Sequence, residues 1–256
     1  MRIFLLIFGL VGAVNASELC SNSTKKEIYK FDFEDMFQGL RGVEAYDDES
    51  ISIVPDPANQ DAKALRFTVK SGNLVNNGNR SELKVSEYLK GDYIFHYSVS
   101  FLLPSDYVSE GEWQLFTQWL VQPNWAEGQT WKTFPGSPPP VGMFFEDDSI
   151  FLTHRPEKKT PIYSEKVKIE RDVWHTANFA MRWSLDEDGW ISGSVNGIPL
   201  KRKSDGSEIF TGPNMYNPEG NYFKFGIYRG RDADSTSSIY FKDVSIHVEC
   251  MEPKKS

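Results

Sequence analysis

Residues 221–230 read Asn221-Tyr222-Phe223-Lys224-Phe225-Gly226-Ile227-Tyr228-Arg229-Gly230. Apolar and polar side chains alternate with a period of two, the period at which a β-strand sends successive side chains to opposite faces. Phe223, Phe225 and Ile227 make one face suited to a core. Tyr222, Lys224, Gly226 and Tyr228 make the other, with two phenols, an amine and a glycine that leaves room for a ligand. A phenol is a poor base unless cations lie near it, and Lys224 and Arg229 are the local candidates. In a regular strand Arg229 points with the core residues. The ordinary alternative is an outer surface on which Tyr and Lys pack, and alternation alone does not choose between the two.

The same period recurs on both sides. It predicts strands over Lys63–Lys70, Tyr93–Leu102, Trp113–Leu120, Val141–Phe145, Ile150–His154, Thr176–Ser184, Trp190–Asn196, Tyr222–Tyr228 and Ser238–Glu249. Asn196-Gly197 is a two-residue hairpin signal, Asp186–Gly189 a turn, and Ser71–Gly78 a longer loop. Only Phe33–Gln38 and Asp106–Glu110 offer short helical turns. Many strands without alternating helices mean an all-β sandwich or barrel. Residues 123–140, rich in Pro and Trp, form the longest irregular stretch, and such loops often border binding sites.

Two further stretches could carry chemistry. In Asn79-Arg80-Ser81-Glu82-Leu83-Lys84 the parity puts Arg80, Glu82 and Lys84 on one face. Glu82 can hold Arg80, whose guanidinium can grip a carboxylate through two parallel hydrogen bonds. A solvated face with a routine ion pair is the alternative. Asn79-Arg80-Ser81 is also a glycosylation sequon. In Trp113–Leu120 the parity groups Gln114 and Gln118 with Phe116 and Leu120, and Trp113 with Trp119. A glutamine amide can donate to a sugar carboxylate, or sit incidentally on a core strand. Of the four histidines, His96, His154, His175 and His247, the best catalytic candidate is His154, at a strand end before Arg155-Pro156.

Composition excludes several classes. The 256-residue chain carries a formal charge of −8, which argues against a nucleic-acid partner. Arg2 followed by the apolar run Ile3–Val14 and Val14-Asn15-Ala16 reads as a signal peptide covering residues 1–16, leaving 17–256 as one domain in a secreted, extracellular or periplasmic protein. The run is short for a membrane span, so no membrane association is expected. The two cysteines, Cys20 and Cys250, are expected to form a disulfide joining the ends of the mature chain. No Gly-x-Ser-x-Gly elbow, phosphate loop, His-Glu-x-x-His or dinucleotide fingerprint is present. No metal site and no cofactor are expected. A structural calcium ion stays open, although no EF-hand loop marks a place for it.

Taken together, Asn79-Arg80-Ser81-Glu82-Leu83, Gln118-Trp119, Trp174, Trp183 and Tyr222-Phe223-Lys224-x-Gly226-Ile227-Tyr228-Arg229 resemble the polysaccharide lyase superfamily of heparin lyase I and glucuronan lyase. Jelly-roll alginate lyases carry a similar Arg-Ser-Glu and Tyr-Phe-Lys-x-Gly pair. The resemblance covers most of the mature chain. It implies a β-jelly roll of two antiparallel sheets with a concave groove, an acidic polysaccharide as substrate, and cleavage by β-elimination; separately from the resemblance, a monomer is expected. The resemblance further implies Tyr228 as base, acid or both. Arg80 and Lys224 would bind the carboxylate or tune the phenol, and Gln118 would neutralise the carboxylate. Glu82, Tyr222, Gln114 and Arg229 complete the expected substrate contacts. Leu120 stands where relatives often carry a histidine, a place His154 or His96 would fill from a neighbouring strand. A non-catalytic carbohydrate-binding jelly roll and a glycoside hydrolase are the alternatives.

Overall fold

The computed structural model describes residues 25–85, 92–158 and 160–251. In chain order the strands are Lys26–Lys30 (β1), Leu40–Ala45 (β2), Ile51–Asp56 (β3), Asn59–Val69 (β4), Leu74–Val75 (β5), Gly78–Val85 (β6), Tyr93–Leu102 (β7), Gln114–Val121 (β8), Val141–Glu146 (β9), Ser149–His154 (β10), Ile162–Tyr163 (β11), Val167–Lys168 (β12), Trp174–Arg182 (β13), Trp190–Val195 (β14), Ile198–Pro199 (β15), Ile209–Thr211 (β16), Asn221–Arg229 (β17) and Ser237–Cys250 (β18). They build two antiparallel sheets. One runs β15-β14-β13-β7-β18-β4-β3, with β1 added on β18 and β16 on β14. The other runs β11-β10-β9-β8-β17-β6-β2, with β12 added on β10 and β5 on β6.

All nine expected strands form. Asn196 and Gly197 take φ of 51° and 78° in the β14–β15 turn, as the Asn-Gly hairpin signal requires. The two helical candidates do not become helices. Phe33–Gln38 is a set of turns begun by the Asp32 carboxylate, which accepts from the Glu34 backbone N–H at 2.8 Å, and Asp106–Glu110 is irregular. Strand β3 escaped the sequence reading because Pro55 interrupts it, and it lies at a sheet edge, where a missing N–H donor is tolerated.

The core lies between the sheets. Phe223, Phe225 and Ile227 of β17 meet residues of the first sheet, with Tyr97 against Trp119 at 5.0 Å and Phe67 against Phe225 at 5.6 Å between ring centroids. Each such ring removes enough apolar surface from water to contribute about 2–3 kcal/mol before entropy is counted. With the odd residues of β17 committed inward, the even ones must line the outer face of the second sheet.

Cys250 ends β18, partly buried against the core. Its expected partner Cys20 and the expected signal segment lie outside the described residues. Among the described residues no helix is long and apolar enough to cross a membrane.

Candidate active site

Strands β2, β6, β17 and β8 lie side by side, and their register brings distant residues into line. Lys224 stands between Lys84 and Gln118, Gly226 faces Glu82, Tyr228 faces Arg80, and Glu44 faces Glu82. The result is one charged cluster on the outer face. Glu44 accepts from Arg80, from Lys224 Nζ at 2.7 Å and from Lys84 Nζ at 3.3 Å. Glu82 lies 3.4 Å from Arg80 and 3.6 Å from Lys224, and accepts from Gln118 Nε2 at 2.5 Å. Three cations against two carboxylates leave one positive charge in excess. Arg80, Glu82, Lys224 and Gln118, expected from the sequence, therefore converge. Glu44 is the member the sequence did not single out: it comes from an edge strand with weak alternation, 180 residues before Lys224.

The cluster is largely shielded from water. Lys224 is 0% exposed, Gln118 1%, Glu82 2% and Arg80 6%, whereas the Lys84 side chain keeps 23% of its surface. Burial alone would raise the Glu44 carboxyl, but Lys224, Arg80 and Lys84 outweigh it and hold it well below the usual carboxylate range. Burial likewise works against the charge on Arg80, and Glu82 and Glu44 outweigh it, raising the Arg80 pKa.

Tyr228 stands at the end of this row. The Arg80 guanidinium lies 3.7 Å from the centre of its ring, and Trp113 packs edge-on at 4.5 Å. The ring covers Gly78, where any Cβ would collide with it. The Tyr228 hydroxyl makes no hydrogen bond among the described residues, and the residue is half-buried. Gly226 has φ of +138°, and a Cβ there would strike the Ser81 carbonyl oxygen and the Glu82 Cα, so glycine lets β17 and β6 close where Glu82 sits. Tyr222 occupies the other end under Arg41, whose guanidinium is 4.9 Å from its ring. Burial first, then the carboxylates of Glu44 and Glu82 against Arg41, push its phenol up, so it stays protonated.

A family model for polysaccharide lyases matches residues 34–245. The chain belongs to the polysaccharide lyase family. Several solved structures share the fold of this lyase. The endo-β-1,4-glucuronan lyase of the fungus Trichoderma reesei is 13% identical, with 84% of this chain and 92% of that one covered and a TM-score of 0.61. An alginate lyase from a Chlorella virus is 10% identical, with coverage of 86% and 99% and a TM-score of 0.56. The catalytic domain of a family 131 glycoside hydrolase from Coprinopsis cinerea is 13% identical, with coverage of 84% and 85% and a TM-score of 0.50. No curated protein matched in sequence.

Other expected site residues of the lyase lie elsewhere. Gln114 and Gln118 do not share a face. A bulge in β8 between Leu115 and Thr117 shifts the alternation, so Phe116 and Trp119, three apart, both enter the core. Gln114 goes inward with Phe116 and accepts from the Tyr107 hydroxyl at 2.5 Å. Arg229 is 0% exposed; it donates to Asn79 Oδ1 at 2.7 Å and to the Ser235 and Ser237 hydroxyls at 3.0 and 3.1 Å, which leaves it no reach to a substrate. Asn79 in turn donates to the Lys70 and Asn73 carbonyls and is 1% exposed, so its sequon is closed to glycosylation in the folded chain.

His154 does not reach the outer face. It shares the inward parity of Leu152 and Ile150, and its Nε2 pairs with the Pro213 carbonyl at 2.8 Å. Burial lowers its pKa, keeping it neutral. His96 and His247 sit on the first sheet beside Glu249 and Glu27, and His175 is held by Asn196 and Glu170, so no histidine replaces the one that Leu120 displaces. Among the described residues no group of three or more His, Cys, Asp or Glu is arranged to hold a metal ion. A surface cleft beside β1, lined by Glu27, Lys30, Asp32, Glu34, Lys63 and Asp243 among others, contains none of the cluster residues.

Proposed function

We propose that this lyase cleaves a uronate polymer, glucuronan-like or alginate-like, by β-elimination. The observation that carries the reading is Tyr228: its hydroxyl has no hydrogen-bond partner among the described residues, its ring rests on the Arg80 guanidinium, and it adjoins a buried cluster with positive charge in excess. Elimination needs the sugar carboxylate neutralised, so that the adjacent C5–H becomes acidic. Lys84, the most exposed cation of the cluster, meets that carboxylate. Tyr228 takes the C5 proton, the C4–C5 double bond forms as the C4–O4 bond breaks, and Tyr228 passes that proton on to the departing O4, which restores it for the next cycle. Arg80 and Lys224, too buried to touch substrate, supply the field in which Tyr228 works.

A hydrolase of this architecture would need a carboxyl group kept protonated near neutral pH. Glu44 is driven the opposite way by its three cations, which favours the elimination reading. The chain is exported by residues 1–16, and Cys20 and Cys250 form a disulfide; the mass of the secreted, unreduced protein tests both. For the reaction, a panel of polyuronates is incubated with the protein while the ultraviolet absorbance of the unsaturated sugar is followed. Absorbance that grows with glucuronan or alginate, and disappears in Tyr228→Phe, is the expected result. Reducing ends released without that absorbance overturn the proposal.

A further inference from the structure

The loop between β8 and β9 presents indole rings that no core contact accounts for. Trp125 is 42% exposed and Trp131 50%, with 6.0 Å between their centroids. Exposing apolar rings of this size is unfavourable, so something other than their own burial must hold the loop in shape. Hydrogen bonds do so. Gln129 N–H donates to the Asn124 carbonyl at 3.1 Å and Phe134 N–H to the Thr130 carbonyl at 2.8 Å. The Gln129 side chain accepts from Asn124 N–H at 2.9 Å, and Asn217 Nδ2 donates to the Gln122 carbonyl at 2.7 Å.

The rings continue the charged cluster. Trp131 meets Tyr222 edge-on at 6.0 Å, and Tyr222 is two residues from Lys224 on β17, about 7 Å along the strand. The Arg41 guanidinium lies 5.5 Å from the Trp131 ring and 4.9 Å from Tyr222, positioned by its hydrogen bond to Gln122 Oε1 at 2.9 Å. An aromatic face with its negative quadrupole suits the C–H face of a pyranose ring, and the adjoining guanidinium suits a carboxylate on that ring.

We infer that Trp131, with Trp125 and Arg41 beside it, is a stacking subsite for a uronate residue of the polymer, adjacent to the residue held at Lys84 and Tyr228. This rests on the polyuronate reading above. The platform binds without taking part in bond making, so Trp131→Ala is expected to raise KM for long uronate oligosaccharides about ten-fold while leaving kcat unchanged. Trp131→Phe recovers most of the affinity, Trp125→Ala moves KM the same way, and oligosaccharides too short to reach the loop show no difference. Tryptophan fluorescence of the otherwise intact Tyr228→Phe protein, titrated with the same oligosaccharides, reports binding independently of catalysis. Unsaturated product with unchanged KM in Trp131→Ala and no quenching removes the platform and keeps the elimination reading. Quenching by uronate oligosaccharides that is lost in Trp131→Ala, with no unsaturated product, keeps the platform and removes elimination.

Discussion

Glu44→Gln is the sharpest perturbation of the cluster. The substitution keeps the size and planarity of the side chain and removes its charge, leaving Lys224, at 0% exposure, with Glu82 at 3.6 Å as its remaining carboxylate. Breaking a buried ion pair from one side costs about 3–5 kcal/mol, and the 11% exposure of Glu44 points to the lower end, about 3 kcal/mol. For a domain of this size that lowers Tm by roughly 6–12 °C at neutral pH. The pH dependence carries a definite sign. The folded carboxyl is depressed below its ordinary 4.5, so its stabilisation is complete above that value and is lost as pH falls below it toward the folded value. Thermal melts of the wild type and Glu44→Gln, followed by circular dichroism from neutral to acid pH, should show a gap that is constant above pH 4.5 and narrows below it. A Tm difference under about 2 °C at pH 7, or a gap that widens in acid, refutes the assignment of Glu44 as the anion that neutralises the buried cations.

Tyr228→Phe should abolish unsaturated product while leaving Tm within about 1–2 °C of wild type, because the lost hydroxyl makes no hydrogen bond among the described residues. Gly226→Ala should lose about 3 kcal/mol or fail to fold, read as lost soluble protein or a low Tm, since its Cβ meets backbone that cannot step aside. His154→Gln should leave kcat unchanged. Because burial lowers the His154 pKa below 6.5, the wild type loses stability as pH falls through that value, and the variant should lose less; equal pH profiles would contradict this placement. Arg229→Met should reduce Tm, by leaving Asn79 and the Ser235 and Ser237 hydroxyls without their donor, with KM for polyuronate unaffected.

Much of the site was legible locally. The parity of β17 separated Phe223, Phe225 and Ile227 from Tyr222, Lys224 and Tyr228, and the parity of β6 put Arg80 and Glu82 together, because side-chain direction in a strand follows from neighbouring peptide geometry alone. The same rule failed in β8, where one bulge displaced the alternation and sent Gln114 inward while Gln118 stayed outward. A bulge depends on which strands lie on either side, and nothing in Trp113–Leu120 announces it. His154 was misread for a related reason. Its parity was visible, but whether that face was core or solvent depended on the sheet opposite.

What the sequence by itself determined was the all-β class, the two faces of the strands flanking the site, and the residue types able to handle a carboxylate. What the tertiary structure decided was who meets whom. Glu44 reaches Lys224 across 180 residues of chain because β2 and β17 flank β6, and that pairing consumes the buried cations and leaves Lys84, Arg41 and Tyr228 nearest to solvent. Charges act through distance in space, and strand order, which no local period encodes, sets that distance.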